Sequence, residues 1–180
     1  MKVLNLFSSK GGNTQKVAET IDAASNTLKH DVTTLSISSS SETVDILAYD
    51  FIFIGSGVYA CMPPKAMNTF LGDMGKKGME NGSIQPASPR IPGKYAVIYA
   101  TYGGFHTGIN EAIPCVKHIG QVFDHYGFQI LDEWYIVGAF LPKKMESFNL
   151  TGRLGDITGR PNDADLKEVF QKTVGILNTI

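Results

Sequence analysis

Apolar positions along the chain follow two rhythms that take turns. Short apolar runs predict strands: Val3, Leu4, Leu6 and Phe7 within 2–7, then 51–54 and 95–100, and 129–137 reads as the fifth strand. Residues 31–37 alternate Val32, Leu35 and Ile37 with polar positions, the mark of a half-exposed strand. Runs at helical spacing lie between them. Val17, Ala18, Ile21, Ala24 and Leu28 predict a helix over 14–28, with Asn13 as its N-cap. A helical turn within 42–48 would face Val44 and Leu47 inward. A helix opening at Pro63 or Pro64 carries Ala66, Met67, Phe70 and Leu71, and 72–93 then shows no clear period. Ala112, Ile113, Val116, Ile119 and Phe123 predict a long helix ending at Gly127. Pro114 lies inside that pattern, so the helix either kinks there or starts later than Thr107. The last helix opens at Pro161-Asn162-Asp163 and carries Leu166, Val169, Phe170, Val174 and Leu177. Strands and helices alternating five times imply an α/β fold, a parallel sheet with helices on both faces.

Such sheets hold ligands at the carboxyl ends of their strands. Three glycine-rich loops, 8–14, 55–62 and 101–108, follow strands and so share that edge. The first runs Ser9-Lys10-Gly11-Gly12-Asn13-Thr14 between a strand and a helix. A helix N-terminus has N–H groups without internal partners and a dipole that favours an anion, so this loop reads as a phosphate cradle. The 72–93 connection belongs to the opposite edge. The 138–160 connection starts on the ligand edge, and at that length it is a candidate cover for the site.

Composition narrows the partners. The 180 residues suffice for a single domain spanning 1–180, with a core that needs no staples. A net charge of −1 provides no field to attract nucleic acid or an anionic membrane. Cys61 and Cys115 fit no metal spacing and read as reduced thiols. No run approaches a membrane span, so a cytoplasmic protein is expected.

The phosphate loop resembles that of the flavodoxin family, Ser/Thr-x-Thr/Ser-Gly-Asn-Thr. Tyr49-Asp50 before an apolar strand ending in Gly55-Ser56, and Thr101-Tyr102-Gly103-Gly104 after the fourth strand, agree with it. Gly152-Arg153-Leu154-Gly155-Asp156 and Gly159-Arg160-Pro161-Asn162 resemble the tail of longer flavodoxin-like proteins of anaerobic bacteria and archaea. The resemblance covers nearly the whole chain. It implies a flavodoxin-like five-stranded sheet of order 2-1-3-4-5 and a tightly, non-covalently bound FMN. The implied cofactor residues are Ser9, Lys10, Gly11, Gly12, Asn13 and Thr14 for the phosphate. Ser56, Gly57, Val58, Tyr59 and Ala60, with Thr101, Tyr102, Gly103, Gly104 and Phe105, would hold the ring. Tyr59 matches the family's stacking aromatic, and Tyr102 or Phe105 would supply the other face. Lys10 either adds charge or faces solvent.

Three departures stand out. Gly11 replaces a hydroxyl residue and loses one side-chain bond to phosphate. Ala60 stands where many flavodoxins have glycine, and alanine makes positive φ costlier, so weaker stabilisation of half-reduced flavin is expected. The charge of −1 departs from the strongly acidic electron carriers. Other chemistry is thinner. His106 is a candidate proton donor or a solvated loop residue. Arg153 and Arg160 either clamp an anion or tie the long loop down through Asp156. The leading expectation is an FMN-binding electron-transfer protein acting on a redox partner protein or a small electron acceptor. The alternatives are a small FMN-dependent reductase or oxidase of quinones or similar acceptors, with or without a nicotinamide donor, and a flavodoxin-fold binding module without catalysis.

Overall fold

A computed structural model describes residues 1–180. In chain order it comprises β1 (Lys2–Ser8), α1 (Asn13–Thr27), β2 (Asp31–Ser36), β3 (Phe51–Gly57), α2 (Lys65–Glu80), β4 (Tyr95–Tyr102), α3 (Ile113–His125), β5 (Gln129–Val137), the short α4 (Phe148–Thr151) and α5 (Asp163–Leu177). The strands form one parallel sheet in the order β2-β1-β3-β4-β5.

Two apolar layers sandwich it. Alternate residues of a strand point to opposite faces, so each buried strand feeds both layers. On one face Leu4, Leu6, Ile52, Ile54, Ile98 and Ala100 pack against α2 (Met67, Phe70, Leu71) and α3 (Val116, Ile119, Phe123). On the other, Val3, Phe51, Phe53, Val97, Tyr99 and Trp134 pack against α1 (Val17, Ala18, Ile21) and α5 (Val169, Leu177). Every residue of β3 is buried, as its unbroken apolar run requires.

One polar group is sunk in the second layer. Asn5 is fully buried, and its amide donates to the Ala18 carbonyl (2.9 Å) and to Asp22 Oδ1 (2.8 Å). The Tyr99 hydroxyl donates to Asn5 Oδ1 (3.1 Å), completing the set that burial demands. Gly55 makes room for this, since a Cβ there would lie 1.9 Å from the Tyr99 ring.

The elements match expectation closely, with informative exceptions. α2 continues to Glu80 through a stretch that shows no clear period in sequence. Its three glycines weaken helix propensity, but packing decides the matter. The Tyr126 hydroxyl donates to the Met74 carbonyl (2.8 Å), and only a glycine at 78 leaves space for that phenol. α3 starts at Ile113, so Pro114 sits in its first turn, where a missing N–H costs nothing. The helix therefore starts late and needs no kink, with a 3-10 turn over Gly108–Glu111 before it. The turn expected within 42–48 is a 3-10 turn over Ile46–Ala48; Ile46 is buried, and Val44 and Leu47 pack half-buried beside it.

Asn13 is not the N-cap of α1. That position belongs to Gly12, in the left-handed region at φ 98, and no side chain caps the helix. The Asn13 amide is drawn away to the far end of the chain, donating to the Ala139 carbonyl at 2.9 Å. α5 does have a side-chain cap: Asn162 accepts from Ala164 and Asp165, and Asp165 reaches back to the Asn162 N–H.

Candidate functional site

The three glycine-rich loops meet at the carboxyl edge of the sheet, and Thr101 joins them. Its carbonyl accepts from the Val58 N–H of the second loop (3.0 Å). Its hydroxyl lies 2.8 Å from that of Thr14 at the start of α1, and both threonines are buried. The sequence-derived sets 9–14, 56–60 and 101–105 thus share one edge through a backbone bond and a hydroxyl pair.

The first loop leads into a helix N-terminus. Asn13 and Thr14 open α1, so their N–H groups have no helical acceptor. The Gly12 N–H is used locally by Ser9 Oγ (3.1 Å), which leaves the Ser9 proton free to donate. The left-handed Gly12 swings the backbone into the helix, and a Cβ there would meet nothing within 4 Å. If Thr101 donates within the hydroxyl pair, the Thr14 proton is also available to an anion. Donors without acceptors, at the positive end of a helix dipole, suit a phosphate.

Gly11 now has a physical reason. A Cβ at that position would lie 2.7 Å from Leu141 Cδ1. The side chain missing from the loop is replaced by one from the 138–160 segment.

The second loop reverses over Tyr59–Met62, which exchange backbone bonds of 2.8 and 3.0 Å. Its central residues Ala60 (φ 48) and Cys61 (φ 64) both lie in the left-handed region, the signature of a type I′ turn. Ala60 therefore adopts positive φ despite its Cβ. Tyr59 is 41% exposed, with the Lys10 ammonium 4.9 Å from its ring centroid. Lys10 itself is exposed, with its ammonium resting on that aromatic face. Burial raises the Tyr59 phenol above its ordinary pKa, and the nearby Lys10 N–H opposes the shift.

The two candidates for a second ring face have other neighbours. Tyr102 is buried and lies within the field of Arg160; burial raises its pKa and that charge lowers it. Phe105 stacks on Phe148, with centroids 4.4 Å apart and planes 27° apart. His106 meets the edge of Phe105 and is exposed. The backbone N–H groups of His106 and Thr107 both donate to Glu111 (2.7 and 2.8 Å), which fixes the third loop from below. Arg160 ties the long segment down through Asp165, whereas Asp156 takes the Thr158 N–H (2.8 Å). Cys61 is exposed and Cys115 is buried.

The 138–160 segment, a candidate cover from its place after β5, walls the first and third loops. Phe140 packs on Gly103, where a Cβ would lie 2.3 Å from its ring. Leu154 lies beside Gly104 and Gly108, and the Arg153 N–H donates to the Phe105 carbonyl (2.9 Å). The available signals were the place of this segment after β5 and the apolar Phe140-Leu141 pair within it. Surface grooves of about 640 and 750 Å³ run along α1 and α5 instead, and neither is lined by the three loops.

A family model described as a flavodoxin domain matches residues 4–78, the part holding the first two loops. The chain is flavodoxin-like. Oxidised flavodoxin 1 from Bacillus cereus superposes with a TM-score of 0.70 at 16% identity, covering 100% of this chain and 99% of that one. A flavodoxin from Streptococcus pneumonia TIGR4 gives 0.67 at 16%, with 100% of both chains covered. A flavodoxin from the domain Archaea gives 0.63 at 18%, covering 99% and 98%. At these identities the likeness speaks for the fold. No protein of curated function matches the sequence. In this flavodoxin-like chain no helix is long and apolar enough to cross a membrane.

Proposed function

We propose that this chain binds FMN at the carboxyl edge of its sheet and passes electrons through it to a partner protein or small acceptor. The observation that carries the reading is the set of acceptor-free N–H groups at the start of α1, beside the exposed ring of Tyr59. Bound FMN supplies one- and two-electron chemistry.

The protein's part is to bind, orient and shield. The N–H groups of Gly11, Asn13 and Thr14, with the Ser9 hydroxyl, would hold the phosphate. Each bond to a charged group contributes about 1.5–3 kcal/mol, so a few of them anchor the tail. Gly12 gives the anion close access to the backbone. Ser56, Gly57, Val58 and Ala60 set the second loop and present Tyr59 as the flat wall for the ring. Thr101 and Gly103-Gly104 bring the third loop to the opposite side, with Tyr102 and Phe105 packed behind it. Lys10, its ammonium against the Tyr59 ring, also offsets phosphate charge.

The purified protein should be yellow, and the cofactor-free form should take up FMN from solution. A colourless protein that leaves added FMN unbound sinks the proposal. A second reading, a small FMN-dependent reductase, draws on the charge of −1, which provides little steering toward a charged protein partner. Anaerobic mixing with NADH or NADPH separates the two: rapid bleaching assigns the reductase, and bleaching only by a chemical or protein donor assigns the carrier.

A further inference from the structure

We propose that the 138–160 segment is a latch over bound FMN, with Leu141 as the residue that positions it; this rests on the FMN reading above. The segment is closed on itself. The Ala139 N–H donates to the Arg160 carbonyl (2.8 Å), joining its ends. Asn149, 5% exposed, takes the Phe140 N–H (2.7 Å) and donates to the Phe140 carbonyl (3.0 Å), and its own carbonyl accepts from Ile157 (2.8 Å). A compact loop whose ends touch and whose interior is hydrogen-bonded moves as one body.

That body contacts two of the three site loops. It meets the phosphate loop twice, through Ala139 on the Asn13 amide and through Leu141 over Gly11. It meets the third loop through Phe140 on Gly103, Phe148 on Phe105 and Leu154 beside Gly104. A ligand whose phosphate lies in the first loop and whose ring reaches the third passes beneath this body on entry and exit. Leu141 is 53% exposed and so adds little to the core; its contribution is cover over Gly11. Gly138 belongs to the same arrangement, since a Cβ there would lie 2.8 Å from the Asn13 amide nitrogen.

A latch acts on departure more than on arrival. The test compares FMN release from the loaded wild type and from Leu141→Ala, followed as free-FMN fluorescence after dilution. Release from Leu141→Ala should be about tenfold faster, with the association rate and the unfolding temperature of the cofactor-free protein little changed. Leu141→Met should restore slow release. Leu150→Ala removes an equally exposed leucine of the same segment, 59% exposed, and should release FMN at the wild-type rate. Wild-type release from Leu141→Ala, or equal acceleration by Leu150→Ala, overturns the latch and leaves the FMN reading intact. A wild type that never loads FMN fails at the mixing step, and both proposals fall together.

Discussion

The side-chain amide of Asn13 donates to the carbonyl oxygen of Ala139 at 2.9 Å, linking positions 126 residues apart in sequence. A residue expected to cap its own helix instead ties the phosphate loop to the 138–160 segment. Asn13→Ala removes the donor and leaves the carbonyl of buried Ala139 without that partner. The expected loss is about 1 kcal/mol, or roughly 2–4 °C in Tm. Thermal unfolding of the cofactor-free protein measures it, and an unchanged Tm would show that the bond is idle.

Gly55 and Tyr99 form a tighter pair. Alanine at 55 would place Cβ 1.9 Å from the phenol ring, against backbone held in the sheet centre. Gly55→Ala should cost about 3 kcal/mol in urea unfolding. Tyr99→Phe keeps the ring but leaves Asn5 Oδ1 without its donor, at about 1–3 kcal/mol. Because the two residues touch, the cost of Gly55→Ala should shrink in a Tyr99→Ala background.

Acid should act through Asp50. Its carboxylate takes the Lys2 N–H at 2.8 Å, the main cause of its lowered pKa, with Lys94 3.5 Å away adding to it. A pKa lower in the folded state gives stability that is present above the unfolded value and is lost as pH falls through the folded one. The loss therefore belongs below about pH 4. Asp50→Asn should flatten that part of the stability curve; the same acid limb in both proteins rules Asp50 out as a contributor.

The two thiols should behave differently. Cys61 is exposed in the second loop, whereas burial pushes the Cys115 thiol up to about 12. Native protein at pH 8 should titrate one thiol with a disulfide reagent, and denatured protein both. Two fast thiols in the native state would contradict the packing of α3.

Much of this was legible before folding. The buried strands β1, β3 and β4 stand out as apolar runs, β5 is a mixed strand at the sheet edge, and the loops after them fall on one edge by topology alone. Pro114 was ambiguous because a proline signals either a kink or a first turn, and only the packing of Ile113 onward selects the latter. In sequence α2 reads as shorter, because Gly72, Gly75 and Gly78 look like breaks; the compensation, a phenol from Tyr126, lies far along the chain. Gly11 looked like a defect in the phosphate loop. Its cause is Leu141, a neighbour in space that no local pattern reveals. Phe105 looked free to meet a ring because nothing local shows Phe148 lying on it.

The Ala139–Asn13 bond and the Leu141 cover set an order of events for a chain made from its N-terminus. The phosphate loop emerges ahead of the 138–160 segment, and β1 can pair with β2 and β3 soon afterwards. The wall over Gly11 arrives only after β5, and its ends close only once Arg160 has been added. Flavin supplied during synthesis would find an open cradle first and a closed one last. Flavin bound at that stage would lack the wall that retains it, so retention is the last property the growing chain acquires.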